Sequence, residues 1–473
     1  MAPSAVREAL SAVDVAWLRM DRPSNLMMIC GMLLLEGRIE LQRLKEVVRT
    51  RMLCFHRFRQ RVADPHGDPH WELDPGFDLD WHVRQLTPRI GTTLEDVASE
   101  LASTALDPGK PMWQWHLIDG AEGCALMMRI HHCYGDGFAL LHVVETMTDT
   151  DPAHPRHGGA DLDGQAAQRT AWERVLGPAS EVVGDALRAS AAAAGAGAGL
   201  LAHPLRALAH ARRGADLAYQ AGVIAAMTPD SRTRLKGELG VAKRVAWGAP
   251  LPLSDVKAVA AALACSVNDV LVACIAGALR AWLLDDGTAP ANRTVRALVP
   301  VNLRPPGPVT ELGNRFGLVF LDLPIGVADP VERVHAVHRA MMQLKTSQQS
   351  TVALGLLAGM GLAPEFLKER LLDALAANAS IVVTNVHGPE QLHYLAGRRI
   401  EHELFWVPQS GGIGIGASIL SYAGQVSFGV IADIGRVPDP TDITSRFTSE
   451  FGALLLSALM MPWTTDNRLD SGA

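Results

Sequence analysis

Residues 125–144 read Ala-Leu-Met-Met-Arg-Ile-His-His-Cys-Tyr-Gly-Asp-Gly-Phe-Ala-Leu-Leu-His-Val-Val. The first six form an apolar run of strand type, and 137–144 has helical spacing. Between them stand two adjacent histidines, three spacers, then Asp136 and Gly137. Histidine is the side chain that takes and returns a proton near neutral pH. An acid held four residues beyond it, followed by a glycine that frees the backbone, predicts a fixed loop around a base. The motif therefore falls where a strand hands over to a helix, a position that often carries chemistry.

Working outward, 1–150 alternates strand-like and helix-like pieces. A strand is expected at 27–35 and helices at 41–52 and 94–105, the latter capped by Thr92 or Thr93 with Glu95 and Asp96 in its first turn. Composition shifts at 149–168, which is rich in Asp, Pro, Gly and His and reads as a linker. The Ala-rich segment 172–227 follows, interrupted by Gly195, Gly197, Gly199 and Pro204. Alternation resumes with helices at 254–284 (broken at 265–266), 330–345 and 442–459. Strands are expected at 295–302, 317–323, 381–385, 413–420 and 425–431. The expected organisation is an N-terminal lobe over 1–150, a linker and helical segment over 151–244, and a C-terminal lobe over 245–473. Two α/β halves of similar size predict a site in the cleft between them.

Bulk properties narrow the function. The chain has 473 residues, 48% hydrophobic and 20% charged, as expected of a globular protein with more than one domain. Its net charge of −7 argues against nucleic acid as the main partner. Six dispersed cysteines form no CxxC pair, and the histidines outside the motif lack ligand spacing, so no metal is expected. A reducing cytoplasm is the expected compartment. Residues 1–14 carry Arg7, Glu8 and Asp14 and no apolar core of signal type. Apolar runs such as 26–35 fall short of the ~20 residues of a spanning helix. One basic island stands out: 203–244 holds eight Lys or Arg against three Asp or Glu. It reads either as a solvated face or as a surface for anionic headgroups or a phosphate-bearing cofactor. The glycine-rich run 411–416 lacks the strand–loop–helix setting of a nucleotide loop. The small residues around Gly355, Gly359 and Gly361 either line an apolar tunnel or permit close packing.

The motif has companions in a fixed order. They are Pro111-Met112-Trp113, Val267-Asn268-Asp269-Val270-Leu271, Pro300-Val301-Asn302-Leu303-Arg304 and Gly313-Asn314-Arg315-Phe316-Gly317. Ile381-Val382-Val383-Thr384-Asn385-Val386-His387-Gly388-Pro389 and Ser421-Tyr422-Ala423-Gly424 complete the series. From about Asp14 to about Phe451 the chain resembles the bacterial wax ester synthase/diacylglycerol acyltransferase family, with residues 150–230 unplaced. It departs from the family pattern at Met112, where leucine is usual, and at His387, where proline is usual.

The resemblance implies an α/β fold of two chloramphenicol acetyltransferase-like lobes, with mixed sheets flanked by helices and an active-site tunnel at their interface. It implies acyl-CoA as co-substrate, with no permanently bound cofactor, and a long-chain alcohol or a diacylglycerol as acceptor. In this motif His132 is the general base. His131 orients the loop or packs beneath it. Asp136 anchors the loop against an arginine, with Arg304, Arg129 or Arg315 as the partner, and Gly137 permits the turn into the helix. Asn268 and Asn385 are oxyanion donors or structural residues, Asn268 in the second case as a helix cap. Cys133 is not expected to be a covalent nucleophile. With lipid substrates and the basic island, association with a peripheral membrane or lipid-droplet surface is expected.

Overall fold

The computed structural model describes residues 8–65, 67–120, 123–154, 230–285, 287, 293–302, 312–314, 316–345, 378–409 and 411–461. Most of the linker (155–168), the Ala-rich segment, most of the basic island and the 355–361 region lie outside the described residues.

Two mixed sheets organise the chain. The first runs Tyr394–Leu395, Arg398–Trp406, Met28–Glu36, Gly123–His131, Trp113–Asp119, Val83–Leu86, with Val83–Leu86 and Trp113–Asp119 parallel and the rest antiparallel. The second runs Phe316–Leu323, Val295–Asn302, Ile381–His387, Ile415–Tyr422, Gln425–Asp433, Lys243–Trp247, with Ile381–His387 parallel to both neighbours. A small third sheet joins Glu8–Ala9, His70–Leu73 and Gln60–Ala63. This is the mixed α/β architecture that the sequence implied.

Local sequence explains the elements. Thr93 and Asp96 form a reciprocal capping box at the start of Leu94–Ala102, satisfying two of the orphan amides of that helix end. The helical expectation at 41–52 resolves into Leu41–Val47 followed by a π-turn at Val48–Met52. The break expected at 265–266 separates Leu253–Ala262 from Val267–Asp285. By length and composition Val267–Asp285 could cross a membrane, but most of it is buried against Leu253–Ala262, Pro330–Lys345, Thr441–Leu459 and the second sheet. It is the core helix of the C-terminal half.

Arg398–Trp406 has no counterpart in the sequence reading. It comes from the second half of the chain, yet pairs antiparallel with Met28–Glu36 and closes the edge of the first sheet. A register shift between Ile400 and His402 interrupts its alternation. Elsewhere Val245 N–H donates to Ser99 Oγ at 3.0 Å and Lys243 N–H to Ser103 Oγ at 2.8 Å. These bonds tie the outer strand of the second sheet to the helix Leu94–Ala102 of the first half.

Candidate active site

The strand Gly123–His131 ends at the motif, and a single 3-10 turn, His132–Tyr134, leads to the helix Gly137–Met147. His132 N–H donates to Met27 O at 2.7 Å, pinning the turn to the neighbouring strand. The imidazole is clamped from two sides. Trp17 lies flat on it, centroids 4.1 Å apart and planes 8° from parallel, and Phe316 closes in at 5.6 Å. His132 Nδ1 lies 2.9 Å from Asn314 Oδ1.

That contact fixes the tautomer. Asn314 Nδ2 donates to His132 O at 2.7 Å and to Asp14 Oδ1 at 2.7 Å. A backbone carbonyl only accepts, so the amide NH₂ must face it and the amide oxygen must face the ring. Nδ1 therefore carries the proton, and Nε2 is the basic nitrogen. Burial pushes the imidazole down to about 4, so it is neutral at physiological pH. Asp14 is itself buried, which raises its carboxyl, while bonds to Ser11 and Asn314 act against that rise.

His131 has a different role. Its Nδ1 accepts from Cys133 N–H at 3.1 Å, and Nε2 stands 4.0 Å from Asp21 Oδ1. Burial pushes it down to about 3. It braces the turn from within, and its ring is one residue removed from the clamp around His132. Burial raises the Cys133 thiol well above its ordinary value, which removes the thiolate a nucleophile needs.

Asp136 caps the helix Gly137–Met147, its Oδ1 accepting from Ala139 N–H at 2.9 Å. Of its three suggested arginine partners, Arg304 and Arg315 lie outside the described residues. Arg129 is engaged elsewhere, donating to Leu101 O, Thr104 O and Gln114 Oε1 at 2.9, 2.7 and 2.6 Å. Side chains alternate along a strand, so Arg129 points away from the face that Met128 and Ile130 present to the helix. Gly137 has no left-handed backbone to explain it. A Cβ built there meets nothing within 4 Å, so the glycine leaves open space instead of permitting a turn.

Asn268 and Asn385 come together, Asn385 Nδ2 donating to Asn268 Oδ1 at 2.8 Å. Asn268 opens the helix Val267–Asp285, and Asn385 sits on the strand Ile381–His387. On that strand Val382, Thr384 and Val386 line the cavity beside His132. Asn385, between two of them, faces the other side, toward the C-terminal core. The pair joins helix to strand and does not line that cavity.

Two adjacent cavities share a wall at the motif. One, of about 880 Å³, is lined by Trp17, His132, Phe316 and Thr384 among others. The other, of about 670 Å³, runs between the first sheet and the helix Gly137–Met147, with Leu33, Met128, Leu140 and Glu403 in its wall. Ile29, Gly137, Val386 and Phe405 line both. The walls are almost wholly apolar, the kind of site that takes hydrocarbon. Sequence reading missed Trp17 and the role of Asn314. The latter lay in the Gly313-Asn314-Arg315-Phe316-Gly317 block, but nothing local says which ring its amide will meet. No cluster of metal-ligating residues occurs among the described residues.

Residues 10–271 match the wax ester synthase/diacylglycerol acyltransferase catalytic domain, and 312–455 match the C-terminal domain of the same family. A putative diacylglycerol O-acyltransferase of Mycobacterium tuberculosis is 28% identical over 455 residues, covering 87% of each chain. A second from that organism, a probable diacylglycerol O-acyltransferase, is 28% identical over 397 residues, covering 81% of this chain and 80% of its own. The solved wax ester synthase/diacylglycerol acyltransferase from Marinobacter aquaeolei VT8 superposes with a TM-score of 0.67 at 21% identity, covering 96% of this chain and all of that one. The first condensation domain of the calcium-dependent antibiotic synthetase shares the fold, with a TM-score of 0.57 at 18% identity, covering 96% of this chain and 97% of that one. With its motif on a neutral, oriented histidine between two lobes, the chain belongs to the wax ester synthase/diacylglycerol acyltransferase family and is an acyltransferase.

Proposed function

We propose that the protein transfers a long-chain acyl group from acyl-CoA to the hydroxyl of a fatty alcohol or a diacylglycerol, with His132 Nε2 as general base. The observation that carries this reading is the Asn314 bond, which puts the proton on Nδ1 and leaves the basic nitrogen on the ring that walls an apolar cavity. The acceptor hydroxyl gives its proton to Nε2 as its oxygen bonds to the thioester carbonyl carbon. The tetrahedral intermediate collapses, the C–S bond breaks, and the imidazolium returns the proton to the departing thiolate. Ester and free CoA leave, and no acyl group is carried by the enzyme. General-base assistance of this kind contributes about 10²–10⁴-fold.

His131 and Asp136 hold the loop in this scheme, and the Asn268–Asn385 pair fixes helix to strand. Thr384, on the cavity side of the same strand, lines the cavity with His132 and offers a hydroxyl to the oxyanion. The basic island and the insoluble substrates favour work at a membrane or lipid-droplet surface. Flotation with anionic vesicles tests this, and binding indifferent to charge reversal at Arg212 and Arg213 would refute that surface.

Thiol release from palmitoyl-CoA, with hexadecanol or dioleoylglycerol as acceptor, tests the reaction itself. Wild-type protein is expected to release CoA with at least one of these. Release no faster than from His132→Ala would refute the proposal. A different hydroxyl or amine acceptor is the second reading, favoured by His387 in place of the usual proline. A panel of acceptors in the same assay separates the two.

A further inference from the structure

Glu403 is a carboxylic acid in an apolar channel. It is only 4% exposed, it lines the cavity between the first sheet and the helix Gly137–Met147, and beyond the backbone ladder to Leu33 no side-chain hydrogen bond reaches its carboxyl among the described residues. Leu33, Met128, Leu140, Val143 and Leu420 share that wall, and among the described residues the one charged group that acts on the carboxyl is Glu145, an acid that cannot pair with it as an anion. A buried, unpartnered polar group is expensive to keep, and structures usually remove it or satisfy it.

The backbone has been shaped to aim it there. On the strand Arg398–Trp406, Ile400 pairs with Leu35 and Glu403 with Leu33. Leu33 and Leu35 point to one face, so Ile400 and Glu403 share that face although they are three residues apart. The register shift between Ile400 and His402 makes this possible, since an extra residue reverses the alternation. In a regular strand that kept Ile400 in the core, position 403 would face the opposite side. Gly388 packs close by, a Cβ there falling 3.7 Å from Glu403 Oε2. Along its own strand Glu403 stands two residues before Phe405, roughly 7 Å from a residue that also lines the His132 cavity. The carboxyl thus stands part-way along the channel from the reacting centre.

We propose that Glu403 is a specificity-determining residue: its carboxyl hydrogen-bonds an oxygen carried on the substrate chain, so that the channel selects a hydroxylated lipid chain over a plain hydrocarbon one. This rests on the acyl-transfer reading above. The chain in the channel comes either from the acyl donor or from the acceptor, and the two sources share the same chemistry. Burial raises the carboxyl to about 8, which makes it a hydrogen-bond donor at neutral pH and suits it to a hydroxyl or a carbonyl oxygen. A channel built for hydrocarbon alone gains nothing from such a group, whereas a missing partner is heavily penalised where a site is built to bond one.

The test uses the full chain and two substrate arms. In the first, monohydroxypalmitoyl-CoA isomers are compared with palmitoyl-CoA, with hexadecanol as acceptor. In the second, palmitoyl-CoA is held constant and hexadecanediols are compared with hexadecanol. Wild-type kcat/KM is expected to favour at least one hydroxylated isomer by about tenfold, the worth of one good hydrogen bond. Glu403→Leu should reverse that order, and Glu403→Gln, which still bonds, should retain it. The arm that shows the preference identifies the source of the chain. Identical rank orders in wild type and Glu403→Leu would overturn the proposal. Displacement of a fluorescent fatty acid by hydroxypalmitic or palmitic acid is measured in parallel. If no substrate pair is turned over, the acyl-transfer reading fails, and the displacement order still decides the role of Glu403.

Discussion

Trp17 and Asp14 stand three residues apart on one short helix, Ala12–Met20, and act on the same imidazole. Trp17 covers the face of His132, while Asp14 holds the amide of Asn314 that bonds its Nδ1. Ser11 caps this helix by accepting from Asp14 N–H at 3.1 Å. An element at the start of the chain therefore sets both the orientation and the dryness of an imidazole that lies far from it in sequence.

Removing the amide separates orientation from presence. Asn314→Ala leaves His132 in place but frees its tautomer. We expect kcat to fall by about 10²-fold or more with KM little changed, as when a general base loses its alignment. Steady-state CoA release measures both. An equal loss in kcat and gain in KM would point to a collapsed cavity instead.

Trp17 keeps water from the ring. With the imidazole held down to about 4, kcat/KM should be level between about pH 5 and pH 7 and fall below about pH 4. Trp17→Ala admits water, and the acid limb should move up toward the ordinary histidine value of about 6.5. Trp17→Phe should keep the limb low. A pH–rate profile of each variant decides the matter.

The same burial links stability to acid. His82 and His132 are held down to about 4, and His116 and His131 to about 3. Each is depressed, so the unfolded chain binds protons that the folded chain refuses. Their contribution is complete above about pH 6.5 and drains away as pH falls to about 4 for His82 and His132 and to about 3 for His116 and His131, by about 1–2 kcal/mol per histidine at pH 5. The urea midpoint of His116→Gln should lose less on acidification from pH 7 to pH 5 than that of wild type.

Glu403 works in the opposite direction. Its folded value is raised from 4.5 to about 8, by burial first and by Glu145 second. The folded state therefore holds a proton the unfolded chain releases, and stability declines as pH rises from about 4.5 to about 8. Glu403→Gln should match wild type near pH 4.5 and exceed it by about 1–3 kcal/mol at pH 8, by denaturant titration. A constant difference across that window would contradict the raised carboxyl.

Gly137 tests the channel. The space beside it is open, and the residue lines both cavities. Gly137→Val should fold, since the position begins a helix and meets no neighbour. It should lower kcat/KM for palmitoyl-CoA by about tenfold or more while affecting short acyl chains less. Comparison of hexanoyl- and palmitoyl-CoA reads this out.

Much of this arrangement could be read from residue order, because local physics governs it. Val295–Asn302 and Pro330–Lys345 fall on the expected residues, their apolar spacing being undisturbed. The strand-to-helix setting of His132 was visible in the switch of period between 130 and 137. Arg398–Trp406 was not, since two arginines, two glutamates and a register shift hide its alternation. Its strand character comes from its partner Met28–Glu36, which no window around residue 400 contains. Asn314 and Trp17 escaped for the same reason, because a hydrogen bond across 182 residues leaves no periodic trace. Asn385 looked like a donor at a strand end, and only the alternation of the strand within the assembled sheet turns it from the cavity.

The borrowed strand also bears on how the molecule comes into being. Met28–Glu36 is an apolar strand whose outer edge is covered by residues made more than three hundred positions later. During synthesis from the N-terminus, the first half emerges with that edge bare, one wall of the apolar cavity missing and Asn314 not yet made. The nascent protein is thus sticky before it is competent, and His132 cannot be oriented until most of the chain has left the ribosome. Cutting the protein in its linker, or expressing its first half alone, should yield aggregates and not a partial enzyme.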